Sequence, residues 1–129
     1  MVNAIRIHTN GGPEVLQFEE ITLPAPGPGE LLIKNRAIGL NFIDTYYRSG
    51  LYPAPRLPLV LGNESAGDVI AVGPNVTEFK AGDRVAAIST HGAYADERIV
   101  PLTSTVSLPA AISYEAAASV MLKGFTAEY

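Results

Sequence analysis

The stretch Gly39-Leu40-Asn41-Phe42-Ile43-Asp44-Thr45-Tyr46-Tyr47-Arg48-Ser49-Gly50-Leu51-Tyr52 gathers the side chains best suited to chemistry at one strand-to-helix junction. Asn41 is placed to cap a short helix with its side-chain oxygen. Gly50 suits the left-handed turn that ends one. On the resulting helix of about two turns, Phe42 and Tyr46 share one face and Ile43 and Tyr47 another, while Asp44 and Arg48 form a favourably ordered pair. One side can then anchor in a core and leave a phenol, an amide and a carboxylate for a cleft.

The elements that position this junction read as short strands. Ala4 to His8 and Leu16 to Thr22 are rich in branched apolar residues and are separated by the turn signal Asn10-Gly11-Gly12-Pro13. The prolines of Pro24-Ala25-Pro26-Gly27-Pro28-Gly29 withhold the donors a central strand needs, so the segment is a surface connection. A strand follows it rather than a helix, which argues against a phosphate-binding loop. Glu30 to Leu40 is the strand that leads into the junction. Beyond it, Tyr52 to Leu59 holds Pro53, Pro55 and Pro58 and predicts a stiff extended loop able to hold Tyr52 over the site.

Small residues from Gly62 to Gly67 permit close backbone approach before the β-branched run Val69-Ile70-Ala71-Val72. Asn75 to Gly82 is a turn-rich connector. Asp83 to Ile88, Tyr94 to Val100 and Thr105 to Leu108 are further strands. Ser113 to Leu122 has an N-cap, an acidic first turn and an alanine-rich body, which predicts a helix closed by Lys123-Gly124. So many short strands between turns favour a barrel or sandwich over a parallel sheet with helices.

The chain has 129 residues, enough for one domain with a core of its own, and 47% of them are hydrophobic. A net charge of -4, with nine Lys and Arg scattered singly, offers no footprint for nucleic acid or an anionic membrane. No apolar run approaches a membrane span, and the start Met1-Val2-Asn3-Ala4-Ile5-Arg6 lacks the layout of a secretory signal. The expectation is a soluble cytoplasmic protein. Zero cysteines remove disulfides, thiolate metal sites and cysteine nucleophiles together. No serine, histidine and acid fall in an order that suggests hydrolysis.

Seven fragments, in order along the chain, resemble the quinone oxidoreductases, zinc-free and NADPH-using members of the medium-chain dehydrogenase/reductase superfamily. They are Gly11-Gly12-Pro13-Glu14-Val15-Leu16, Asn41-Phe42-Ile43-Asp44-Thr45-Tyr46, Arg48-Ser49-Gly50, Gly62-Asn63-Glu64 with Gly67, Gly82-Asp83-Arg84-Val85, Gly92-Ala93-Tyr94-Ala95, and Leu122-Lys123-Gly124 with Thr126. The resemblance implies that residues 1–129 form the N-terminal GroES-like domain of such an enzyme: a mainly β, partly open barrel with short helices. No Gly-x-Gly-x-x-Gly follows a strand, so the dinucleotide-binding Rossmann domain is missing, and the chain reads as the substrate-side part of an enzyme.

Zinc-dependent relatives carry a cysteine where this chain has Asn41 and a histidine where it has Asn63, so the resemblance implies no metal. His8 and His91 show no ligand spacing and read as structural or solvated. The implied activity is NADPH-dependent reduction of quinones or related conjugated carbonyls, by a homodimer. There Asn41 and Tyr52 face the substrate, Asn41 as a donor to a carbonyl oxygen or as a helix cap, Tyr52 as an aromatic lid or as packing on the proline loop. Phe42, Ile43, Asp44, Thr45, Tyr46 and Thr126 form the cofactor wall. For Tyr46 the plain alternative is core packing through Phe42, and for Asp44 a simple pair with Arg48. Glu64 is expected to tie down backbone amides or a basic side chain. Rival readings are a 2-alkenal or enoyl reductase, or a GroES-like binding module without catalysis; the 129 residues by themselves are expected to be inert.

Overall fold

The computed structural model describes residues 2–89 and 91–119. Eight strands and one full helix make up its regular elements, in the order β1 (Val2–Ile7), β2 (Gln17–Ile21), β3 (Glu30–Ile38), α1 (Phe42–Ser49), β4 (Leu59–Val60), β5 (Glu64–Val72), β6 (Arg84–Ile88), β7 (Glu97–Pro101) and β8 (Thr105–Ser107). Residues 114–119 are also helical. Single 3-10 turns at Pro13–Val15 and Leu102–Ser104 were not expected from the sequence, nor was the two-residue β4. These pieces are too short to show a hydrophobic period.

Two antiparallel sheets carry the fold. One has the order β2-β1-β4 and the other β7-β3-β5-β6-β8. The seam between them is stitched by backbone: Ile5 N–H donates to the Tyr94 carbonyl at 2.8 Å and Asp96 N–H to that of Asn3 at 2.9 Å. That seam explains why the strand predicted from Tyr94 begins only at Glu97, since residues 94–96 pair across the sheets instead. The result is the mainly β, curled half-barrel that the resemblance implies.

The longest pairing, β3 with β5, runs Leu31 against Val72 to Ile38 against Ser65 and breaks register twice, between Leu32 and Ile33 and between Asn35 and Ala37. Such bulges bend a strand and sharpen its twist. The bend delivers the end of β3 to the junction at Gly39. On the inner face Leu31, Ile33, Val69, Val85, Ala87 and Val100 form one core cluster. A second, of Ile7, Leu59 and Leu61, takes in Tyr47 from α1 together with Val15, Ala54 and Tyr94. Tyr47 is therefore the anchor of α1.

At the opposite edge, Arg84 lies 4.4 Å from the centre of the Tyr114 ring and donates to the carbonyls of Pro109 and Ile112, both at 2.8 Å. Tyr114 in turn donates its hydroxyl to Asp68 at 2.6 Å. Ser113 caps the final helix, its Oγ accepting from the Ala116 N–H at 3.0 Å. The helix N-terminus lies where the sequence puts it; Val120, Met121, Leu122, Lys123, Gly124 and Thr126 lie outside the described residues.

Candidate active site

Asn41 is extended (φ -135, ψ 154) and opens α1 in a capping box with Asp44. Its backbone N–H donates to Asp44 Oδ2 at 3.1 Å, and the Asp44 N–H returns a bond to the Asn41 carbonyl at 3.0 Å. At the far end Gly50 takes φ 90, as the left-handed turn requires, and both its N–H and that of Tyr52 donate to the Tyr46 carbonyl at 3.1 Å. An eight-residue helix is marginal in water, so these caps and the Tyr47 anchor are what hold it.

Two buried carboxylates bracket Asn41. Asp44 is 3% exposed and Glu64 is fully buried. Asp44 Oδ2 also accepts from the Tyr94 hydroxyl at 2.6 Å. Burial pushes the Asp44 carboxyl above its ordinary range; the bonds from Tyr94 and Asn41 oppose that rise and the charge of Glu64 adds to it. Burial, then the bond and charge of Asp44, push the Tyr94 phenol upward as well. Glu64 Oε1 accepts from Asn41 Nδ2 at 2.9 Å.

Aromatic rings cover the helix. Tyr46 and Tyr52 meet edge to face at 5.2 Å, Tyr47 and Tyr52 at 5.7 Å, and Tyr47 meets the His91 ring at 4.3 Å. Burial lowers the His91 pKa, with Asp44 opposing and Arg56 and Arg98 adding to the shift, which favours the neutral imidazole. Leu51 and Phe42 are exposed. Tyr94 and Leu40 line a hollow of about 540 Å³ and His91 lines one of about 700 Å³, while α1 itself lines neither.

Phe42 is 82% exposed, so it is no packing partner in the core for Tyr46. The Asp44–Arg48 pair does not form among the described contacts, because Tyr94 and the Asn41 amide hold the carboxylate inside while Arg48 Nε donates to the Gly11 carbonyl at 3.2 Å. Glu64 accepts from the Asn41 carboxamide, a partner the sequence reading did not foresee. Tyr52 folds onto Tyr46 and Tyr47. Thr45 turns its hydroxyl back to the Phe42 carbonyl at 2.6 Å, and Ile43 is half-buried.

Two residues escaped the sequence reading. Tyr94 lies fifty positions from Asp44, and only its place in Gly92-Ala93-Tyr94-Ala95 hinted at it. Arg98 is 2% exposed and donates to the carbonyls of Asn63 (3.2 Å), Ser89 (3.0 Å) and His91 (2.9 Å) and to Ser65 Oγ (3.1 Å). Burial lowers its pKa to about 10. A signal existed: Arg98 alternates in phase with Val100 on the inward face of β7. His8 bonds Glu19 at 2.6 Å. Among the described residues no three His, Cys, Asp or Glu gather as a metal would need, and no described helix is long and apolar enough to cross a membrane.

The fold and the junction define a mainly antiparallel β domain with its polar groups on one capped helix beside the sheet. The chain belongs to the alcohol dehydrogenase GroES-like domain family, whose model matches residues 27–129. It is 55% identical over 130 residues to the quinone oxidoreductase of Pseudomonas aeruginosa, covering 100% of this chain and 40% of that protein. The crystal structure of the Pseudomonas syringae quinone oxidoreductase superposes with a TM-score of 0.98 at 53% identity, over 100% of this chain and 40% of that one. The Escherichia coli quinone oxidoreductase, solved in complex with NADPH, gives a TM-score of 0.96 at 51% identity, over 98% and 39%. The chain thus spans about two fifths of the length of the relatives it matches.

Proposed function

We propose that the intact protein is an NADPH-dependent, metal-independent reductase of quinones or related conjugated carbonyls, and that this chain is its substrate-side domain. The supporting observation is that the α1 junction, with the Asn41 carboxamide and the Tyr46–Tyr52 ring pair, belongs to a chain that matches quinone oxidoreductases along its whole length, one of them solved with NADPH. The remaining attributes of the reading are a cytoplasmic homodimer and an inactive isolated domain.

NADPH, when bound, supplies the hydride. The residues of α1 fit such a partner, because half-buried Tyr46, exposed Phe42 and Leu51 and the Tyr52 ring offer flat and apolar surface to a nicotinamide or a quinone. Tyr46, Ile43, Phe42 and Thr45 form the cofactor side, and Thr126 is assigned to it from the resemblance alone. Asp44 serves that wall from inside, by fixing the start of the helix. Asn41 Nδ2 donates toward the carbonyl oxygen that gains negative charge, which is worth most where donors are preorganised. Tyr52 covers the acceptor ring. Asparagine at positions 41 and 63 supplies neither the thiolate nor the imidazole that zinc takes.

The test follows NADPH absorbance in the intact protein with benzoquinone. Oxidation is expected, and Tyr46→Ala should raise the NADPH dissociation constant about tenfold, the worth of a good ring contact. A folded protein that oxidises NADPH with no quinone and no enal would defeat the reading. Turnover of enals alone would move the assignment to an alkenal reductase.

A further inference from the structure

Asn41 is held by two acids that act on different parts of it. Asp44 takes its backbone N–H, whereas Glu64 takes its side-chain Nδ2 at 2.9 Å. A carboxylate offers only acceptors, so only the NH2 end of the carboxamide can face Glu64, and this sets which way the group is turned. The Glu64 side chain is itself immobilised. It is fully buried, its backbone carbonyl accepts from the Gly39 N–H at 2.9 Å, and a methyl group added at Gly39 would overlap Glu64 Cγ, Glu64 Oε1 and the Ala118 carbonyl. Glycine at 39 is thus what makes room for this acid beneath the junction.

We infer that Glu64 is a positioning residue for the reaction: it acts through Asn41, fixing the carboxamide so that its second Nδ2 proton keeps one direction. The inference rests on the reading of Asn41 as the donor to the substrate oxygen. A glutamine at 64 keeps the size of the side chain but presents either an oxygen or an NH2 group, so it no longer dictates the turn of the amide. A backbone-fixing role would instead loosen the junction as a whole.

The experiment is a double-substitution cycle in the intact protein with NADPH and benzoquinone, using Glu64→Gln, Asn41→Ala and both together. Asn41→Ala is expected to lower kcat about a hundredfold, the loss seen when one preorganised donor is removed. Glu64→Gln should lower kcat about tenfold with the KM for NADPH unchanged, and should have no further effect once Asn41 is alanine. An undiminished Glu64→Gln effect in the Asn41→Ala background would overturn the inference alone. An Asn41→Ala protein with full kcat would overturn the donor reading and this inference with it. One measurement needs no Glu64 variant: in the wild-type protein the Asn41 NH2 protons, identified by their loss in Asn41→Asp, should exchange with solvent more slowly than those of an exposed asparagine such as Asn75. Exchange as fast as that of the exposed carboxamide would contradict a held Asn41 side chain.

Discussion

Two aspartates in this domain each accept a tyrosine hydroxyl at 2.6 Å, yet their acidities move in opposite directions. Asp44, bound by Tyr94, is pushed up; Asp68, bound by Tyr114, is pulled down. The difference lies in what surrounds the shared bond. Asp44 is sealed beneath α1 with the charge of Glu64 nearby. Asp68 is also raised by what burial it has, but Tyr114 and then Arg36, whose Nε donates to it at 2.8 Å, more than offset that, and Arg84 adds its field. A hydrogen bond of one length therefore fixes neither the charge of its acceptor nor its worth. The Asp44 bond organises a site, and the Asp68 bond latches the helix of residues 114–119.

The comparison is sharpest when each carboxylate is removed. Asp44→Ala is expected to cost about 3 kcal/mol, because the Tyr94 hydroxyl and the Asn41 N–H lose their partner inside the fold. Asp68→Ala should cost under about 1 kcal/mol, because water reaches its partners. Urea unfolding of the intact variants measures both, and equal losses would break the distinction. A smaller contrast is expected from the hydroxyls: Tyr94→Phe should lower stability by about 1–2 kcal/mol and Tyr114→Phe by about 0.5 kcal/mol, read in the same titration.

The smallest effect is on pH dependence. With its folded pKa above the ordinary 3.8, Asp44 lends stability that is full below 3.8 and is lost as pH rises through the folded value. Asp68, with its folded pKa depressed below 3.8, lends stability that is present above 3.8 and is lost as pH falls through the folded value. Unfolding free energies in the acid range should therefore rise more steeply with pH in Asp44→Asn and less steeply in Asp68→Asn. Slopes that changed in the same direction would show that the two sites are alike.

Much of the frame was legible in the residues. Asn41 and Gly50 mark the ends of α1 through conformations few other residues favour, the strand from Glu30 follows from its rough alternation, and the strand through Val69-Ile70-Ala71-Val72 from its β-branched run. The interior of the site was not. The sequence pairs Asp44 with Arg48 because they are neighbours on a helix, but a tyrosine fifty residues away claims the carboxylate once the sheets close. Likewise Phe42 carries the apolar character of a core residue and faces outward, because the core beneath so short a helix is filled by Tyr47, and one anchor fixes its rotation. The Glu64 to Asn41 bond depends on the register of β3 and β5, which no local pattern encodes.

The brevity of α1 has a consequence for how such a centre arises. Eight residues do not stay coiled by themselves in water, and the contacts that keep these coiled come from β5, from the seam beside Tyr94 and from the turn at Gly11. The motif is thus not a portable cassette: transplanted without those distant supports, the same letters would spell a disordered peptide.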